Sequence, residues 1–124
     1  MEVVREKEFV NQYHFDARNR QWEEEHGVPE TRVRVDFHLM EKNDEEQTMT
    51  VVTIMNFMIV LDQFVISGLM TQGVHISNRI VEGPNEFSDE EKHFLVEPLI
   101  DMLKRLTYEV TEIAFDAPGV KLEM

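Results

Sequence analysis

The sequence predicts an α+β fold, in which a four-stranded antiparallel sheet is covered on one face by a C-terminal helix. Three patterns support this prediction. Residues 32–41 alternate between apolar and polar, residues 48–61 are apolar on both sides of the alternation, and apolar residues recur every three or four positions after residue 88. Alternation is the period of a strand, and steps of three and four are the period of a helix. The 124 residues suit a single domain, 1–124.

The first strand is predicted over residues 3–15, where apolar residues recur at even spacing. Residues 16–30 are polar and contain Gly27 and Pro29, so we expect a long connection there. Trp22 is the only large aromatic side chain in that connection, and we expect it to pin the segment to the body of the domain.

The second strand, 32–41, has one apolar and one polar side, and the polar residues 42–46 supply the turn that follows it. Residues 48–61 form the third strand, which is apolar on both sides and therefore needs cover on both. The fourth strand, 64–70, resumes after a turn at Asp62 and Gln63.

The C-terminal helix begins with a capping box, because Ser88 is followed three residues later by Glu91. Pro98 cannot donate a backbone hydrogen bond, so we expect it to break the segment into helices near 89–96 and 98–115. The apolar stripe of these helices can bury one face of the sheet. Its members are Leu95, Leu99, Met102, Leu103, Leu106, Val110 and Ile113.

The second face of the sheet is left without a helix, and it is the candidate functional surface. Leaving a large apolar side chain in water forfeits about 1.5–3 kcal/mol, so this face needs a partner. Connection 16–30 with Trp22 could fold over it, a second subunit could cover it, or it could hold a client; we favour self-association into a dimer or tetramer. The apolar residues assigned to this client- or subunit-facing surface are Val52, Ile54, Met58, Val60, Phe64 and Met70.

Charge and composition exclude several classes of function. The net charge is −13, which repels nucleic-acid backbones and anionic membranes and attracts basic polypeptides. The chain contains no Cys, which removes disulfides, zinc–thiolate sites and thiol catalysis. Residues 49–70 have the length of a membrane span, but Asp62 and the β-branched residues favour strands, so we expect a cytoplasmic, soluble protein without membrane insertion.

No catalytic motif is assembled in the sequence, and we predict neither enzyme activity nor a metal or cofactor. The side chains of the acidic run 23–26 are consecutive and therefore point in different directions, which is typical of a solvated surface and not of a metal site. His93 and Glu97 are one helical turn apart and could share a metal, although an exposed pair is the simpler interpretation. His14 and Asp16 could form an acid–base couple, but no nucleophile or oxyanion donor accompanies them.

Four segments carry a resemblance to a known fold: Tyr13–Asp16, Phe57–Gly68, Val96–Leu99 and Ala117–Val120. They resemble the SecB-like superfamily of export chaperones, and the match is spread over nearly the whole chain. More specifically, the chain has the opening REKEFV with YH and DARN, the segment NFMIVLD followed by FVISG, and the ending LTYEVTEIA with DAPGV. These motifs resemble a domain-of-unknown-function family of low-GC Gram-positive bacteria that is grouped with SecB by fold.

The resemblance implies a homo-oligomeric chaperone that holds unfolded polypeptides on the second sheet face without catalysis. It also implies a docking surface for a partner on the exposed acids Glu6, Glu8 and Asp16. The sequence departs from the SecB pattern where paired glycines before an aromatic are replaced by Gln63-Phe64. A dedicated module with one protein target remains the alternative, and a small-molecule or metal-binding enzyme is a more remote one.

Overall fold

The computed structural model describes residues 1–124 as five strands and two α-helices. The strands are β1 (Glu2–Arg5), β2 (Phe9–Ala17), β3 (Arg32–Asn43), β4 (Thr48–Val60) and β5 (Phe64–Ser77), and the helices are α1 (Arg20–His26) and α2 (Asp89–Phe115), with a 3-10 turn at Pro84–Glu86. All strand pairs are antiparallel, and α2 packs against β4 and β5. The predicted α+β class, with an antiparallel sheet and a C-terminal helix, is confirmed.

The sheet has five strands, so the prediction of four is wrong. The predicted first strand is divided into β1 and β2, which lie end to end along the same edge of β5. The interruption falls at three consecutive charged residues, 6–8, whose charges favour solvent over continued pairing. The backbone stays attached there, because the Glu6 N–H donates to the Gly73 carbonyl at 2.9 Å. Across the sheet the order is therefore β1 and β2, then β5, β4 and β3.

Helix α2 runs without a break through Pro98, so the predicted division into two helices is also wrong. Proline removes the N–H that would bond the Phe94 carbonyl. The Arg5 guanidinium supplies the missing donor, at 2.6 Å from the Phe94 oxygen and 3.2 Å from the Leu95 oxygen. The capping box is confirmed, because Ser88 Oγ accepts the Glu91 N–H at 3.1 Å and Glu91 Oε1 accepts the Ser88 N–H at 2.9 Å.

The core lies between α2 and one face of the sheet. Near its C-terminus the buried side of the helix is polar, since Thr107 and Thr111 are buried there whereas Ile113 is 82% exposed, contrary to the predicted stripe. Thr111 Oγ1 accepts the Val120 N–H at 2.8 Å, which holds the C-terminal tail against the helix. The largest buried cluster consists of Met55, Phe57, Ile59, Phe64, Ile66, Met70, Val96, Leu99, Leu103 and Leu122.

The connection 16–30 contains α1, which the sequence interpretation missed. Asn19 caps this helix, since its Oδ1 accepts the Trp22 N–H at 3.0 Å. Trp22 is 51% exposed and stacks on His26, so it does not pin the connection as expected. Arg18 and Arg20 hold it instead, because they donate to the carbonyls of the β4–β5 turn, Leu61 at 3.2 Å and Asp62 at 2.7 Å.

Candidate functional site: the open face of the sheet

We call the side of the sheet opposite α2 the open face. The registers place the even-numbered residues of β4 and the odd-numbered residues of β5 on it. None of its apolar side chains belongs to either buried cluster, and α1 lies at the β4–β5 turn instead of across the sheet. Its apolar residues are Val52, Ile54, Met58, Val60, Val65 and Leu69, with Phe9 and Val4 at one edge.

Four of the six predicted surface residues lie on the open face: Val52, Ile54, Met58 and Val60. The other two do not, and that part of the prediction is wrong. Phe64 and Met70 are 4% and 0% exposed and pack under α2. Val60 pairs with Val65, so Val65 lies on the open face with Val60. Side chains alternate along a strand, so the odd-numbered residues of β5 share that face and the even-numbered Phe64 and Met70 point toward α2.

The residues that sequence reasoning missed are Val65 and Leu69 on β5, and Phe9 and Val4 on the neighbouring edge. Phe9 is 62% and Val4 69% exposed, although both are large apolar side chains. The register of the β4–β5 hairpin is the signal that could have found Val65 and Leu69, since the hairpin turn fixes which residues of β5 share a side with β4.

The two edges of the open face carry different charges. On the β3 edge Arg32 and Arg34 lie at one end, and Arg34 Nε is 3.0 Å from Asp36 Oδ2. On the opposite edge Asp16 of β2 pairs with Val65, and Glu2 of β1 pairs with Ser77. An apolar centre is thus bordered by a basic corner on one side and by acids on the other.

Three neighbouring polar side chains cross the open face near β1. Glu6 Oε2 lies 3.3 Å from His75 Nε2, and His75 Nδ1 lies 3.2 Å from Thr50 Oγ1. The His75 and Glu6 side chains are 53% and 59% exposed, and Thr50 lies in a doubly paired strand with no free N–H to stabilise an oxyanion. These three side chains therefore lack the other parts of a nucleophilic site.

The three acids predicted to dock a partner are not brought together. Glu6 and Asp16 are separated along the β1–β2 edge by the span from Gly73 to Val65, which is roughly 26 Å at strand spacing. Glu8 lies in a separate cleft of about 500 Å³ beside α2, which it shares with Arg5 and Arg105.

The other candidate residues for chemistry are also dispersed. Glu23 of the acidic run turns inward and pairs with Arg18 at 2.5 Å, and the hydrogen bond from Arg18 lowers the pKa of the Glu23 carboxyl. His14 and Asp16 follow one another on the open face of β2, whereas His93 and Glu97 are exposed on α2. No group of three or more His, Asp or Glu side chains is arranged to hold a metal ion.

Comparison with known proteins assigns the family. The family model described as "Protein of unknown function (DUF1149)" matches residues 1–124. The chain belongs to this family. A crystal structure of a protein of unknown function from Streptococcus agalactiae is 52% identical, with a TM-score of 0.96, over 100% of this chain and 98% of that one.

A second solved structure shares only 11% identity and a TM-score of 0.47, over 98% of this chain and 86% of that one. It is described as a Mycobacterium tuberculosis SecB-like chaperone in complex with a peptide from an antitoxin. No curated protein matches the chain. No helix of this chain is both long and apolar enough to cross a membrane. Residues 49–70, which have the length of a membrane span, form most of β4 and the first half of β5.

Proposed function

We propose that this protein is a non-catalytic, chaperone-like binder of unfolded or extended polypeptides, and that it works as a homo-oligomer in the cytoplasm. The open face is the binding surface in this proposal. The observation that carries it is that the chain covers one side of its sheet with α2 and leaves the other, with six apolar residues in its centre, without any packed element. The proposal also places the family in the SecB-like superfamily, in its low-GC Gram-positive branch, on the sequence resemblance described above.

The chemistry of the open face favours polypeptide over other ligands. It is broad and shallow, and its apolar side chains alternate with Asn56, Ser67 and Thr71, which can form hydrogen bonds with a passing backbone. Covering a large apolar side chain contributes about 1.5–3 kcal/mol, so several such contacts suffice for micromolar binding after the cost of ordering the client.

Charge supports the same proposal. The net charge of −13 attracts cationic polypeptides at long range and discourages nucleic acids. Met58 on the open face is 39% exposed, and its flexible thioether can adapt to side chains of different shape. A surface of this kind suits many clients in preference to a single one.

The test is suppression of aggregation of a denatured client protein after dilution from urea. Wild-type protein is expected to lower light scattering in proportion to its concentration, and Ile54→Asp and Met58→Asp are expected to lose most of this effect. Ile113→Asp is the matched control, because Ile113 is equally apolar and 82% exposed but lies on α2. Unchanged scattering with wild-type protein would overturn the proposal, and so would equal activity of all three variants. Capture of one stoichiometric partner without suppression would favour a dedicated target.

A further inference from the structure

We infer that, in the absence of a client, the open face is occupied by the open face of a second copy, in one defined orientation. The two sheets stack about a twofold axis that runs parallel to the strands, between β4 and β5. This orientation places Arg32 of each copy opposite the corner that holds Asp16 of the other. The inference rests on the proposed function, since it concerns the same face and names the partner that a client must displace.

The size of the open face matches the requirement of a stable pair. The sheet is four strands wide, because β1 and β2 share one edge, and β4 is 13 residues long. At about 4.8 Å between strands and 3.3 Å per residue, the face covers roughly 800 Å². That is about the area that each partner contributes to a standard protein interface.

Side-chain size supports the strand-parallel axis. This axis lays β4 of one copy over β5 of the other at the same height along the strands. Val52 then opposes Gly73, Ile54 opposes Thr71, and Met58 opposes Ser67, so these three large side chains each meet a small one, and Val60 meets Val65. Facing layers interdigitate best when large and small residues alternate in this way. An axis perpendicular to the strands lays β4 on β4 instead.

Charge supports the same axis. Arg32 pairs with Met58, Met58 with Ser67, and Ser67 with His14, so Arg32 and His14 lie at the same height on opposite edges of the sheet. Asp16 is the next residue after His14 on the same side of β2, about 7 Å further along the strand. When β3 of one copy lies over β2 of the other, two Arg32–Asp16 pairs form, one on each side of the twofold axis.

The perpendicular axis gives a poorer arrangement of charge. If that axis passes through the centre of the sheet, Asp36 of one copy faces Asp36 of the other, and Asp16 of one copy approaches Glu2 of the other. Both are contacts between like charges. The favourable pair left to it is Arg32 with Glu41. Like charges that face one another across an interface select against that orientation.

The experiment measures self-association by sedimentation equilibrium of the full chain. Wild-type protein is expected to form dimers, whereas Arg32→Glu and Asp16→Arg are each expected to weaken the dimer about tenfold, because each change creates two like-charge contacts. An equimolar mixture of the two variants is expected to restore dimers to within about threefold of wild type, since both pairs in the mixed dimer are again opposite in charge. Arg105→Glu, on the outer side of α2, makes the same charge change as a control and is expected to leave the dimer unchanged.

The outcomes separate this inference from the proposed function. A monomeric wild type, or dimers in which the mixture restores nothing, would overturn it. Restoration by mixing Arg32→Glu with Glu41→Lys, but not with Asp16→Arg, would also overturn it and select the perpendicular axis. If Asp16→Arg fails to fold by circular dichroism, Asp16→Asn with Arg32→Gln is used, and loss of salt sensitivity of the dimer is the expected result; unchanged salt sensitivity would contradict the inference. The proposed function fails independently, in the aggregation assay, if dimers form as described but no client is held.

Discussion

The Arg5 guanidinium lies 2.6 Å from the Phe94 carbonyl oxygen, the group that Pro98 leaves without a donor inside α2. Its carbon also lies 4.7 Å from the centre of the Phe94 ring, a cation–π contact. A side chain from β1 thus supplies the hydrogen bond that Pro98 removes from a helix beginning more than eighty residues later in the chain. The same side chain links the edge of the sheet to α2. This explains why the helix does not end at the proline.

This relationship predicts that the effects of Arg5 and Pro98 on stability are coupled. Arg5→Ala is expected to lower the free energy of unfolding by about 1–3 kcal/mol, because it leaves a carbonyl unsatisfied and removes the cation–π contact. In the background of Pro98→Ala the same change is expected to cost at least about 0.5 kcal/mol less, because the new backbone N–H can bond Phe94. Urea unfolding of the two single variants and the double variant measures the coupling. Strict additivity would contradict this account.

The two glycines of β5 are expected to respond differently to alanine. A Cβ at Gly68 would collide with the backbone carbonyl of Gln12 and the ring of Phe57, neither of which can move freely. Gly68→Ala is therefore expected to cost more than about 2 kcal/mol in urea unfolding. At Gly73 the collision is with the flexible end of the Glu6 side chain, so Gly73→Ala is expected to change stability by less than about 1 kcal/mol. Equal losses at both positions would refute the distinction.

Much of the fold could be predicted because the signals are local. The alternation in β3 and the capping box at Ser88 depend on neighbours in sequence, and both are found where they were expected. The continuous α2 was missed because its support comes from Arg5, far away in the chain. The side occupied by Phe64 was missed because β5 is apolar on both sides, so that only its register with β4 decides which side faces α2.

The candidate surface was predicted in part for the same reason. The apolar, two-sided character of β4 is visible in the sequence and predicted a second apolar face, which the register places opposite α2. The charged borders of that face could not be predicted from the sequence. Arg32 and Asp16 lie on opposite edges at nearly the same height only because four strands pair in these registers. The short helix α1 had two usable signals, Asn19 as an N-cap and Gly27 after the last turn with φ of 94°, which the polar composition of the segment obscured.

Two buried threonines are expected to respond in opposite directions to valine, which has the same shape. Thr53 is 0% exposed and its hydroxyl has no hydrogen-bond partner, so Thr53→Val is expected to raise the free energy of unfolding by about 1 kcal/mol. Thr111→Val is expected to lower it by about 1–3 kcal/mol, because Oγ1 donates to the Thr107 carbonyl at 2.7 Å and accepts the Val120 N–H at 2.8 Å. Thermal or urea unfolding checks both, and a destabilised Thr53→Val would show that its hydroxyl has a partner in solution.

The start of α2 is expected to give stability that depends on pH. The hydrogen bond from the Ser88 backbone N–H is the largest cause that lowers the pKa of Glu91; burial opposes it, and Arg79, 3.2 Å away, lowers it further. Because the folded pKa lies below the unfolded one, this contribution is complete above the unfolded value of about 4.3 and is lost as pH falls through the folded value. Glu91→Gln keeps the capping geometry but removes the charge, so it is expected to cost about 0.5–1 kcal/mol at pH 7.

The difference in unfolding free energy between wild type and Glu91→Gln should therefore shrink as pH is lowered below about 5. Urea unfolding of both proteins from pH 7 to pH 3 measures it. Glu109→Gln, an exposed site in the C-terminal third of the same helix, controls for the loss of one negative charge from a chain that carries an excess of them. A difference that stays constant across this range, or one that matches the control, would mean that the Glu91 charge does not stabilise the start of α2.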